Sequence, residues 1–175
     1  MKLHQLKLEF NAEQDRLLLR VSTDDGKEVL LWLTRRCVKL LWPAMMNLAQ
    51  ASPEFAMVGD PEARKALLGF QHEKAVQQSD FSKPYEEAPR ERPLGLEPIL
   101  VGRVQMRRDD SGKPVLSMLP LAGNQGIHLT LDEKLLHSLC RLIQQAVGKA
   151  DWDVELALPN PLSAGVAEEG TRTLN

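Results

Sequence analysis

The sequence predicts an α+β fold in which two β-β-β-α-like halves flank a proline-rich connection. Three observations carry this. Short segments alternate apolar and polar residues, the period of a half-buried strand, and they come in two groups. Each group leads into a longer segment with apolar residues at helical spacing. Between the groups, Pro84, Pro89, Pro93 and Pro98 interrupt residues 79–98. The organisation read from this is an N-terminal βββαα half over 1–78, a proline-rich linker over 79–98, a C-terminal βββαβ half over 99–158 and a loose tail over 159–175.

In the first half, Leu6, Leu8 and Phe10 fall on alternate positions, and Leu17, Leu19 and Val21 do so again after a polar turn over 11–15. Asp24-Asp25-Gly26 makes a compact hairpin connection, with the glycine free to take positive φ. The third strand, 28–33, is apolar on both faces: Val29, Leu31 and Leu33 on one, Leu30 and Trp32 on the other. Such a strand is either central in a covered sheet or part of an interface. Thr34 is placed to cap a helix, with Val38, Leu41, Met45 and Leu48 as its buried stripe. Pro43 inside that segment predicts a kink, or a break near Leu41-Trp42. Asp60-Pro61-Glu62 is a strong start signal for a second helix, running to about residue 78 with Ala63, Leu67 and Phe70 inward.

Proline at the density of 79–98 forbids a helix and weakens any strand, so this stretch is a linker or a long surface connection. The opening pattern then recurs. Residues 100–108 read as one strand, Asp109-Asp110-Ser111-Gly112 as a turn, 115–121 as a second strand, and Ile127, Leu129 and Leu131 as a short third. Thr130-Leu131-Asp132-Glu133 matches a capping box for a helix that carries Leu135, Leu139, Leu142 and Ala146, with Gly148 placed to end it. Residues 152–158 read as a last strand. The recurrence suggests duplication about a pseudo-two-fold axis, although turns reuse Asp and Gly for purely local reasons.

Composition bounds the function. The chain has 175 residues, 43% hydrophobic and 26% charged, with 22 basic and 24 acidic side chains for a net charge of −2. That is enough to bury a real core and gives no global attraction to nucleic acid or anionic lipid. No apolar run approaches the ~18–20 residues of a membrane span, and the N-terminus lacks the pattern of a secretion signal. Two cysteines, Cys37 and Cys140, form no CxxC pair and no disulfide framework, which suits the cytoplasm. They read as small buried hydrophobes.

Chemical motifs are sparse. There is no G-x-S-x-G elbow, no P-loop and no G-x-G-x-x-G. Gly123-Asn124-Gln125-Gly126 lies between strands and reads as a hairpin turn rather than an anion cradle. His137 and Cys140 stand one helical turn apart, with His128 nearby, but a zinc site needs three or four protein ligands. No catalytic residue, metal or cofactor is assigned. Of the acidic pairs Asp24-Asp25, Asp109-Asp110, Glu86-Glu87 and Asp151/Asp153, two are turn residues, and adjacent carboxylates on loops read as solvated.

The expectation is a non-catalytic binding or protein-interaction module, with a protein partner or a second copy of the chain. Trp32, Trp42, Met45 and Met46 are its interface candidates, because tryptophan and methionine are enriched in interface cores. The alternative is a single-stranded DNA or RNA binder using Arg20, Arg35, Arg36, Arg103 and Arg107 on a basic sheet face. An aromatic content of 5% weighs against it, since such binders stack bases on exposed rings.

Overall fold

Alternation at period two builds the first sheet. The structure, a computed structural model, describes residues 2–158; the tail expected over 159–175 lies outside the described residues. Strands β1 (Leu3–Asn11), β2 (Arg16–Thr23) and β3 (Glu28–Leu33) form an antiparallel meander. Its register aligns Leu8 with Leu19 and Leu19 with Leu31, so one face gathers Leu8, Leu17, Leu19, Val21, Val29, Leu31 and Leu33 into the core. The opposite face carries Lys7, Leu18, Arg20, Leu30 and Trp32.

Helix α1 (Arg35–Ala49) starts where Thr34 accepts from the Cys37 amide at 3.1 Å. It buries Val38, Leu41 and Met45, together with Cys37, Trp42 and Ala49. The break near Leu41-Trp42, expected as the alternative to a kink, is absent: the helix runs through Pro43. Pro43 and Lys39 are both exposed, so the Lys39 carbonyl deprived of its partner faces water. A short turn, α2 (Pro53–Ala56), precedes α3 (Pro61–Gln77), which Asp60 caps by accepting from the Ala63 amide at 2.7 Å. The buried face of α3 differs from the prediction. Leu68, Gly69, His72 and Ala75 are buried, Leu67 is half-buried, and Ala63 and Phe70 are exposed. Apolar residues are scattered around this helix, so spacing alone does not single out a face.

The proline-rich stretch is a surface strap laid across the outer face of the first sheet. Tyr85, Glu87 and Arg92 reach Glu28 and Arg20 there. Its end runs beside β3, where the Glu28 amide donates to the Glu91 carbonyl at 2.8 Å and β4 (Ile99–Leu100) pairs parallel to β3. The single strand expected over 100–108 is therefore divided between two sheets. Val101 donates to Trp32 in the first sheet and Gly102 to Leu119 in the second. A side chain at Gly102 would strike Leu121, whose backbone nitrogen lies 2.9 Å from the position of an added Cβ.

The second sheet is a meander of β5 (Arg103–Arg108), β6 (Pro114–Leu119) and β7 (Ile127–Thr130) in the order β5-β6-β7. Helix α4 (Glu133–Ala150) follows. Its cap is Asp132, accepting from Leu135 at 2.7 Å, rather than Thr130, which still pairs with Val115 as strand. It also continues past Gly148 and stops at Asp151, in the left-handed conformation at φ 52°. Both halves thus share the order β-β-β-α, with β4, α2 and α3 outside it. The last strand expected over 152–158 does not form. The segment lies extended against the core with Trp152 buried and Val154, Leu156 and Leu158 half-buried. The alternation is real, but it meets helices instead of a strand edge.

One core cluster joins both sheets, α1, α4 and Trp152. No helix among the described residues is long and apolar enough to cross a membrane.

Candidate functional site

The clearest concavity lies where the two sheets part. The first turns of α1 form one wall through Thr34, Arg36, Cys37 and Leu40. The crossing from β4 to β5 and the chain after β6 form the others, including Val104 and Leu121. The groove encloses about 500 Å³, within the range of ligand sites. Apolar side chains dominate it, and three leucines at its margin stay open to solvent: Leu40 is 58% exposed, Leu100 43% and Leu121 77%. Helical spacing already places Leu40 off the buried stripe of α1, which is the sequence signal for this wall. Leu100 and Leu121 carried no signal, because the division of the strand between sheets creates their position.

Cys37 lines the groove; burial pushes its thiol up to about 12, and that of Cys140 likewise. A protonated thiol is a weak nucleophile.

One cation, Arg36, lines this groove, and other basic side chains lie on the same two elements. Arg35, Arg36 and Lys39 are exposed on α1, and Arg107 and Arg108 on β5, which packs against α1. Among the described residues none of these, nor Arg103, makes an ion pair. The first turn of α1 also lacks an acidic residue, so Arg35 and Arg36 stand at the positive end of the helix uncompensated.

The arginines of the predicted nucleic-acid face do not share one surface. Arg20 belongs to the first sheet and is engaged by Glu28 at 2.8 Å and Glu87 at 2.7 Å. Arg103 lies in the second sheet and donates to the carbonyls of Pro120 and Gly123 and to Asn124. Arg107 is exposed on the same face of that sheet as Arg103. Arg35 and Arg36 stand on α1, with Arg35 reaching the Asp153 carbonyl at 3.5 Å. Of the interface candidates, Trp42 and Met45 are core residues at 8% and 0% exposure. Trp32 is half-buried on the strap-side face, and Met46 lines a separate cleft beside Arg64.

Two polar constellations escaped the sequence. The first centres on Glu28, 2% exposed, whose carboxylate accepts from Arg20, Arg92 and Tyr85. Burial raises its pKa, but the hydrogen bonds from Tyr85, Arg20 and Arg92 outweigh that and hold it below 4.5. The second is a buried imidazole pair between α3 and α4, with Nδ1 of His72 3.1 Å from Nδ1 of His137. Burial, then the charges of His137 and Arg141, lower His72 to about 4, and burial lowers His137 as well.

His137 also borders a polar cleft of about 340 Å³ with Glu54, Gln71, Arg108, Asp132 and Glu133. Its groups largely serve one another. Gln71 donates to Glu54 at 2.6 Å, Arg108 to the Gly112 carbonyl at 2.8 Å, and Asp132 caps α4. Ser117 and His128 lie side by side on the outer face of the second sheet, Oγ to Nδ1 2.7 Å. No carboxylate among the described residues hydrogen-bonds that imidazole, so the orienting partner of a catalytic triad is missing there. No group of three or more His, Cys, Asp or Glu side chains among the described residues could hold a metal.

Comparison with family models, curated proteins and solved structures finds no match to this chain.

Proposed function

We propose that this protein is a non-catalytic interaction module whose binding surface is the apolar groove between α1 and the start of β5. The observation that carries the reading is the groove itself: about 500 Å³, walled by aliphatic side chains, with solvent-open leucines at its rim. Grooves of this size and character accommodate an apolar anchor, while polar groups at the margin set its orientation. The exposed rim favours a protein segment over a small molecule, because a partner chain also covers Leu40 and Leu121. The two buried thiols support a cytoplasmic location.

Methyl-resolved NMR of the full chain against a pool of short apolar peptides tests the reading. Shifts gathered at Leu40, Val101, Val104 and Leu121, and lost in Leu121→Asp, are the expected result. Shifts gathered instead in the polar cleft around His137 and Glu54, or none at all, overturn it.

A second reading, single-stranded nucleic-acid binding, draws support from the unpaired Arg35, Arg36, Lys39 and Arg107. Binding of labelled oligonucleotides that weakens steeply with salt would favour it.

A further inference from the structure

Resting on that reading, we propose that the occupant of the groove is an extended acidic–apolar peptide segment that adds as a strand to the open edge of β5. Among the described residues the second sheet ends at β5, whose only strand partner there is β6. In an antiparallel pair, residues alternate between those that bond the partner strand and those whose amide and carbonyl point away. The Asp109 amide donating to the Lys113 carbonyl at 2.8 Å fixes the phase of this pair. Arg103, Gln105 and Arg107 therefore face β6 with their backbone groups, while Val104, Met106 and Arg108 direct theirs outward. No backbone group of the described residues pairs with those outward groups. Val104, one of them, lines the apolar groove. An unpaired edge and a side-chain pocket beside it are the two parts that strand addition uses, the edge for affinity and the pocket for choice of side chain.

The chemistry of the segment follows from period two. On an added strand, alternate side chains turn to the core side, beside Val104, Leu121 and Leu40, and these must be apolar. The others turn to the outer side, beside the exposed and unpaired Arg107, and these must be acidic. Arg36 at the groove wall adds a further cation, and no acidic residue lines the groove. A second copy of this chain fits poorly, because two β5 edges would set Arg103, Arg107 and Arg108 against the same residues; edge charges of this kind block self-pairing. Nucleic acid lacks an aromatic platform, since none of the groove's lining residues is aromatic.

The test uses the full chain and a fluorescent, capped hexapeptide alternating glutamate with leucine, followed by anisotropy. Saturable binding is expected, weakened at least about tenfold by Arg107→Glu, by Leu121→Asp and by lysine in place of the peptide's glutamates; ~1.4 kcal/mol corresponds to each tenfold. Both substituted side chains are exposed, and an unchanged circular dichroism spectrum confirms that each variant is folded. N-methylating alternate peptide amides separates the two ideas, because it removes strand hydrogen bonds and keeps the side chains. Loss of binding with one N-methylation phase and not the other supports the added strand. Equal binding of both methylated peptides overturns strand addition and leaves the groove as the site. No binding up to about 1 mM, together with no methyl shifts from any apolar peptide, overturns the groove reading too. Tighter binding of a deoxythymidine oligonucleotide than of the peptide, or a dimer in solution that the peptide fails to dissociate, overturns the proposed occupant.

Discussion

Glu28 shows what one residue does here that its neighbours in sequence do not announce. On β3 it reads as an ordinary polar strand residue. In the folded chain it is a nearly inaccessible carboxylate on which Arg20 of β2 and Arg92 and Tyr85 of the strap converge. Tyr85 in turn lies between guanidinium groups, 4.5 Å from Arg20 and 5.3 Å from Arg90. Removing one member of such a network leaves buried charge without a partner. Glu28→Ala is therefore expected to cost about 3 kcal/mol in urea unfolding, and to raise amide exchange over 84–92 as the strap lifts. Unchanged exchange there would show that the strap is held by something else. The His72–His137 pair gives a second consequence, for pH. His72 binds its proton at about 4 folded and 6.5 unfolded, so between these values the unfolded chain holds more protons. Stability is then full above pH 6.5, falls as pH drops toward 4, and loses up to roughly 3 kcal/mol. His72→Gln should flatten that fall when urea midpoints at pH 7.5 and 5 are compared. Neither constellation was legible in the sequence, because each joins residues that are distant along the chain.

At the scale of elements, legibility followed the strength of local chemistry. Thr34 and Asp60 cap α1 and α3 as their hydroxyl and carboxylate predict, and the alternation in β1, β2 and β5 gives the right faces. Where a local signal competed with tertiary structure, the latter decided. Thr130 stayed in β7, so Asp132 took the cap, and the alternating 152–158 segment docked on helices without a strand partner. Pro43 is the sharpest case. A proline at this depth in a helix costs up to ~3 kcal/mol where its effects are confined, and α1 tolerates it because the unpaired carbonyl is on the wet face. Pro43→Ala restores the missing amide without touching a buried neighbour. It should raise the unfolding free energy by about 1–3 kcal/mol, measured by urea denaturation. A loss of stability would mean that Pro43 sets a bend on which the packing of Trp42 and Met45 depends.

At the scale of the molecule, the β-β-β-α halves suggested by the sequence are tied together in several ways. β4 pairs with β3 across the boundary, α4 packs on β1 and α1, and one core cluster runs through both sheets. Trp152 closes the arrangement. Its indole donates to Asp15 at 2.6 Å and its ring meets Phe10 edge-on at 6.1 Å, so the end of the second half clasps the first hairpin of the first. Chains with a single continuous core unfold in one cooperative step, and probes placed in different regions then report one midpoint. Tryptophan fluorescence, which samples Trp32, Trp42 and Trp152, and far-ultraviolet circular dichroism should give superimposable urea curves. Trp152→Ala should shift both together by about 3–5 kcal/mol, the usual range for emptying a buried indole site. Curves that separate, or a Trp152→Ala variant in which only one half melts early, would show that the halves hold themselves up independently and that the groove at their junction opens and closes with the motion between them.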